Sequence, residues 1–131
     1  MKTIAVYTIS LVFLISCENK DTGRIYENIE GTFTCEENHP AFGIRRYLVE
    51  IDRVKNEADL YLISNFYDAG YNEFLFARLS SSDLTITDQV VTGLLVNGHG
   101  RVSVDLKRID WEYEVADGIA TQNILALYTR N

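Results

Sequence analysis

A chain of 131 residues, 47% hydrophobic and 24% charged, has the length of one domain and the apolar content to enclose a single core without staples. Its 12 Lys and Arg against 19 Asp and Glu leave a net charge of −7, which excludes nucleic acid as a natural partner, because phosphate neutralisation supplies most non-specific affinity. The same acidity excludes attachment to an anionic membrane by charge alone.

The chain opens with Lys2, an apolar run from Ile4 to Ile15, then Ser16 and Cys17. A basic start, a short greasy stretch and a small residue before a cut have the form of a secretory signal. The run is too short to span a bilayer core of about 30 Å at about 1.5 Å per residue. Leu14-Ile15-Ser16-Cys17 resembles the lipobox of bacterial lipoproteins: Leu, a small or aliphatic residue, a small residue, then Cys. That resemblance implies that cleavage falls before Cys17, that its thiol carries a diacylglyceryl group and that its new amino group is acylated. Such a residue meets the two-signal requirement for stable anchoring. The implied address is the outer membrane, with the lipid on Cys17 as the anchor and either the periplasm or the cell surface as the exposed side. The expected division is a signal peptide over 1–16, the lipidated Cys with its tether over 17–28, and one domain over 29–131. With Cys17 acylated, Cys35 has no disulfide partner and is expected to be a small buried residue.

From Ile29 onward apolar residues recur with period two, the mark of half-buried strands. Ile29, Gly31, Phe33 and Cys35 alternate with Glu30, Thr32, Thr34 and Glu36; Tyr47, Val49 and Ile51 alternate with Arg46, Leu48, Glu50 and Asp52. Further strands are expected over 59–67, near 73–79 and around Leu84 and Ile86. Residues 88–97 read as one strand or as two short ones. Val102, Val104 and Leu106 then alternate with Ser103, Asp105 and Lys107, and Trp111, Tyr113 and Val115 with Asp110, Glu112 and Glu114; a last strand runs over 123–130. Turn formers separate these runs, including Asp68-Ala69-Gly70, Asn97-Gly98-His99-Gly100 and Asp117-Gly118. Short, regular spacings without a helical stripe predict an all-β fold: an antiparallel up-and-down meander of about eight strands. Closure into a small barrel removes its exposed edges.

Gly31-Thr32-Phe33 resembles the opening strand of the lipocalin and fatty-acid-binding (calycin) superfamily, with Phe33 where that family has Trp. The resemblance implies a strand clasp in which Arg130, near the end of the last strand, lies across the Phe33 ring. Residues 24–28 would then cap one barrel end. The layout is also similar to small lipocalin-like lipoproteins of Gram-negative gut anaerobes, which share the lipobox, the Gly-aromatic first strand, a Gly-x-Gly segment and a Tyr-bearing penultimate strand ending in Asp-Gly.

No catalytic signature stands out, so no enzyme activity, cofactor or metal site is expected. Cys35 and His39 lack the further ligands that zinc requires. His99 reads as a solvated turn residue, the Asp110, Glu112 and Glu114 stripe as a solvated strand face, and Arg45-Arg46 likewise. Tyr47, Phe66, Phe74, Phe76, Trp111, Tyr113 and Tyr128 are expected to point inward. Two functions fit. In the first, the lipocalin-like barrel binds a small apolar or amphipathic ligand, lined by Tyr47, Trp111 and Tyr113. In the second, a filled barrel is a non-enzymatic accessory module that meets an envelope protein or glycan through loops 37–44 and 68–73, with His39, Phe42, Tyr67 and Tyr71 exposed.

Overall fold

The computed structural model describes residues 26–131. Eight strands follow one another: β1 (Gly31–His39), β2 (Gly43–Arg53), β3 (Leu60–Ser64), β4 (Phe74–Ser80), β5 (Asp83–Val91), β6 (Leu94–Val102), β7 (Arg108–Ala116) and β8 (Thr121–Arg130), with one 3-10 turn at Phe66–Asp68. Each strand pairs with its sequence neighbour, and β1 returns to pair antiparallel with β8 from Phe33↔Arg130 to Asn38↔Leu125, so the meander is a closed barrel. The fold is all-β, as the period-two pattern predicts. Among the described residues no helix is long and apolar enough to cross a membrane. Residues 1–16 and Cys17 lie outside the described residues.

Alternation fills the interior. Phe33, Cys35, Val49, Ile51, Ile63, Leu75, Leu84, Ile86, Val96, Ile109, Trp111, Tyr113, Ile124 and Tyr128 are all buried in one cluster. Between them lie the polar outer positions, including Asp110, Glu112 and Glu114, which are exposed.

Several local expectations are corrected. Asn97-Gly98-His99-Gly100 is the middle of β6, not a turn. Its glycines are there for packing: a Cβ at Gly98 would lie 2.5 Å from the Tyr113 Cα, and one at Gly100 would lie 2.8 Å from the Trp111 ring. The register sets each glycine opposite the aromatic it makes room for, Gly98↔Tyr113 and Gly100↔Trp111. The ambiguous stretch 88–97 resolves into the end of β5 and the start of β6, joined through Thr92 (φ 47°) and Gly93 (φ 81°). Two positive φ values in a two-residue loop match the twist of a hairpin. Val104 and Leu106 do not extend a strand; they sit in the β6–β7 turn, where Val104 is fully exposed and Leu106 half-buried.

The expected third strand stops early. β3 ends at Ser64, and Asn65, Tyr67 and Asp68 take left-handed φ of 60°, 59° and 55°. Phe66 still points inward, but from this turn, tilted against Tyr113 at 4.8 Å and edge-on at 6.3 Å to Trp111. Phe74 and Phe76 face outward, 47% and 38% exposed, because Leu75 and Ala77 take the inner positions of β4.

The two ends of the barrel differ. At the end carrying the chain terminus, the Arg130 guanidinium lies 4.8 Å from the Phe33 ring centre and 3.9 Å from that of Tyr26. It donates to the carbonyls of Asn28 (2.6 Å), Glu30 and Leu106 (3.0 Å). A Cβ at Gly31 would lie 2.9 Å from Arg130 Nη1, and the φ of +141° there suits glycine. Ile29, fully buried, plugs this end. The opposite end collects the turns at 40–42, 65–73, 92–93 and 117–120.

Candidate functional site at the open mouth

The inward face of β1 does not stop at Cys35. The same alternation carries Glu37 and His39 into the barrel, 0% and 2% exposed. The expectation of an exposed loop over 37–44 is therefore wrong for its first half: residues 40–42 alone connect β1 to β2. Burying a carboxylate costs several kcal/mol unless it is paired and hydrogen-bonded, and β2 beside it and β7 across β8 supply the partners. Tyr47 Oη on β2 donates to Glu37 Oε1 at 2.8 Å, and Tyr113 Oη on β7 donates to the same oxygen at 2.6 Å. Arg45 Nε donates to Oε2 at 2.7 Å, with Nη2 at 2.5 Å. Arg45 is thus no solvated strand residue. Its guanidinium caps the carboxylate while facing Tyr67 at 4.8 Å and Phe42 at 5.8 Å. Arg46, on the other face, is exposed and pairs with Glu36 at 3.1 Å.

Two of the expected ligand-lining residues, Tyr47 and Tyr113, therefore converge on Glu37. Burial above all raises both phenols far above the ordinary tyrosine range, so they stay protonated and act as donors. Trp111, the third, packs 5.7 Å from Tyr128 in the core, and its Nε1 has no hydrogen-bond partner, nor has Tyr128 Oη. The middle of the barrel is filled by side chains, as an eight-stranded barrel allows. Cys35 lies in that filled part; burial pushes its thiol up to about 12, which leaves it protonated and unreactive. Among the described residues no group of three or more His, Cys, Asp or Glu is placed to hold a metal ion.

Above Glu37 a small hollow of about 150 Å³ opens at the mouth, lined by His39, Phe42, Tyr67, Leu94, Val115, Asp117, Ala120 and Gln122. His39 Nδ1 accepts from the backbone N–H groups of Ala41 (3.0 Å) and Phe42 (3.2 Å), so the ring proton sits on Nε2 and donates to Tyr67 Oη at 2.7 Å. The His39 ring also stacks on Phe42 at 4.3 Å. Gln122 Oε1 is buried without a hydrogen-bond partner. Asp117 Oδ1 accepts from the N–H groups of Ile119 and Ala120, both at 2.8 Å, and these bonds lower its carboxyl below the usual range.

A larger hollow, about 660 Å³, lies elsewhere, between the 81–82 and 103–107 turns at the opposite end. It is an external cleft open to solvent, and no buried unpartnered side-chain atom lines it. The mouth is the better site because aromatic and aliphatic side chains converge there at the open end of the barrel.

Sequence reading missed Glu37, Arg45 and Gln122. The signal for Glu37 was present in the unbroken alternation Phe33, Cys35, Glu37, His39, but a charged residue at an inward position reads as the end of a strand. Gln122 is a neighbour of Val115 only through the β7–β8 register. Comparison with known proteins finds no family model that matches the chain and no curated sequence that matches it. What stands is the class of fold: an eight-stranded antiparallel closed barrel, consistent with a lipocalin-like architecture.

Proposed function

We propose that this chain is an outer-membrane lipoprotein, anchored through acylated Cys17, whose barrel binds a small amphipathic molecule at its open mouth. The observation that carries the binding half is the hollow of about 150 Å³ walled by Phe42, Tyr67, Leu94 and Val115 at the open end of the barrel. Ligand sites of drug size run from about 300 Å³ upward. The mouth therefore takes a compact molecule, or the end of a longer one, above a filled core. The lipobox supports the anchoring half, and the acidic surface makes lipid the sole plausible attachment.

Fatty-acid labelling of cells expressing the full chain tests the anchor: wild type takes up label and Cys17→Ser does not. An unlabelled wild-type chain overturns it. Native mass spectrometry of the chain released gently from envelopes tests the mouth. One small molecule per chain is expected, and it should be lost in Leu94→Trp, which fills the hollow.

A second reading has its own support. Phe42 (69% exposed), Tyr71, Phe74 and Phe76 place aromatic surface on the rim and adjoining outer wall, more than a solvated loop requires. On that reading the barrel is an interaction module for an envelope protein or glycan. A chain recovered with no bound molecule and indifferent to Leu94→Trp favours it.

A further inference from the structure

Charge is divided unevenly between the two ends of the barrel. Arg53, Lys55, Arg78, Arg101, Lys107 and Arg108 lie toward the end that Ile29 plugs, intermixed with carboxylates such as Asp59, Asp83 and Asp110. The mouth end has Arg45 and Arg46, each held by a glutamate, against exposed Asp68, Asp88, Glu114 and Asp117. The β6–β7 turn projects from the plugged end. Ser103 Oγ donates to Asp105 Oδ1 at 2.6 Å, and the Lys107 and Arg108 amides donate to this pair, both at 3.1 Å. These bonds fix the turn and hold Val104 fully exposed at its tip. The cleft of about 660 Å³ beside it has Leu79 and Leu106 in its wall. The chain enters the barrel at the same place: Arg130 donates to the Leu106 carbonyl at 3.0 Å while lying 3.9 Å from the centre of the Tyr26 ring. Residues 18–25 separate Tyr26 from Cys17, a reach of at most about 30 Å. Ile119, at a turn of the mouth end, is exposed to a similar degree, but Asp117 and Glu114 stand near it in the chain and lipid phosphates repel them.

On the reading that acylated Cys17 anchors the chain, we propose that the plugged end is a bilayer-docking face. Val104 enters the boundary between headgroups and acyl chains, Arg101, Lys107 and Arg108 meet lipid phosphates, and the mouth points away from the membrane. The acyl chains hold the barrel; charge orients it. A contact too weak to retain a free domain is enough here, because a short link raises the effective concentration of the face at the bilayer.

The test uses the full acylated chain in phosphatidylethanolamine vesicles with phosphatidylglycerol as the minor lipid. Cys35 is fully buried, so Ser81→Cys beside the cleft and Ile119→Cys at the mouth each take a fluorophore alone. The chain should float with the vesicles, the label at 81 should be shielded from iodide, and the label at 119 should stay open to it. More phosphatidylglycerol should strengthen the shielding and added salt weaken it, although the chain as a whole is acidic. Lys107→Gln should shift the docked-to-free ratio about fivefold toward free. Val104→Ser should shift it the same way, while Arg46→Gln, which removes the same charge from the mouth end, should not. A chain that fails to float removes the anchor and this face with it. Flotation with the label at 81 open to iodide keeps the anchor and overturns the face. Shielding of the label at 119 also overturns it, since the mouth then meets the bilayer or a second copy. So does shielding at 81 that ignores lipid charge, Lys107→Gln and Val104→Ser.

Discussion

Glu37 shows how one residue organises the open end. A carboxylate with no exposure is held by two phenols and a guanidinium from β2 and β7. The tyrosines around it are not equivalent. Tyr113→Phe leaves Glu37 Oε1 short of its closest donor and should cost about 1–3 kcal/mol. Tyr128→Phe removes a hydroxyl that has no partner and should be neutral or slightly stabilising. Urea unfolding of the two variants tests the contrast; equal losses would mean that the Glu37 bond carries no special weight. His39 supplies a pH prediction. Burial lowers its imidazole below the ordinary range, so the unfolded chain takes up this proton first. Its contribution is complete above about pH 6.5 and declines as pH falls below that value, until the folded-state ring also titrates. Wild type should therefore lose more stability between pH 7 and pH 5 than His39→Asn, which cannot titrate. Parallel urea midpoints across that window decide it.

At the scale of elements, the β3–β4 connection is the unusual part. Three non-glycine residues with left-handed φ cost of order 1–2 kcal/mol each, and the compensation is visible. Asn65 donates to the Leu48 carbonyl at 2.6 Å and accepts from the Gly70 amide at 2.8 Å, while Phe66 fills the upper core. Asn65→Ala removes both bonds and the residue type that tolerates such a φ; a loss of about 1–3 kcal/mol in thermal or urea unfolding is expected. The β5–β6 hairpin offers the opposite case. Thr92 is β-branched at φ 47°, a poor choice for a loop that favours Asn-Gly. Thr92→Asn should stabilise by up to about 1 kcal/mol, read as a higher urea midpoint. In β6, Gly98→Ala forces a methyl against the β7 backbone and should destabilise severely, which a strand whose glycines merely marked a turn would not show.

At the scale of the whole molecule, closure rests on β1 meeting β8 and on Arg130 sealing the seam. That side chain spans the segment just before β1, the β6–β7 turn and two aromatic rings. Arg130→Met keeps the stem and loses the charge. It should cost about 2–4 kcal/mol, from the lost cation–π contacts and three hydrogen bonds to carbonyls. Hydrogen exchange should quicken first in β1 and β8; uniform quickening around the wall would show that the seam is no weaker than any other strand pair. What the amino-acid order determined by itself was the fold class, the eight-strand meander and most of the inward set, Phe74 and Phe76 excepted, while family likeness implied the Phe33–Arg130 pairing. These depend on local alternation and on turn chemistry, both of which can be read along the chain. The mouth was decided by tertiary structure, because Glu37 acquires its meaning from Arg45, Tyr47 and Tyr113, and Gln122 from Val115 and His39. The paired glycines of β6 read as a turn until their partners across the sheet are known. Chain order carries no register between strands so far apart, and burial reverses what a charged or small residue ordinarily signals.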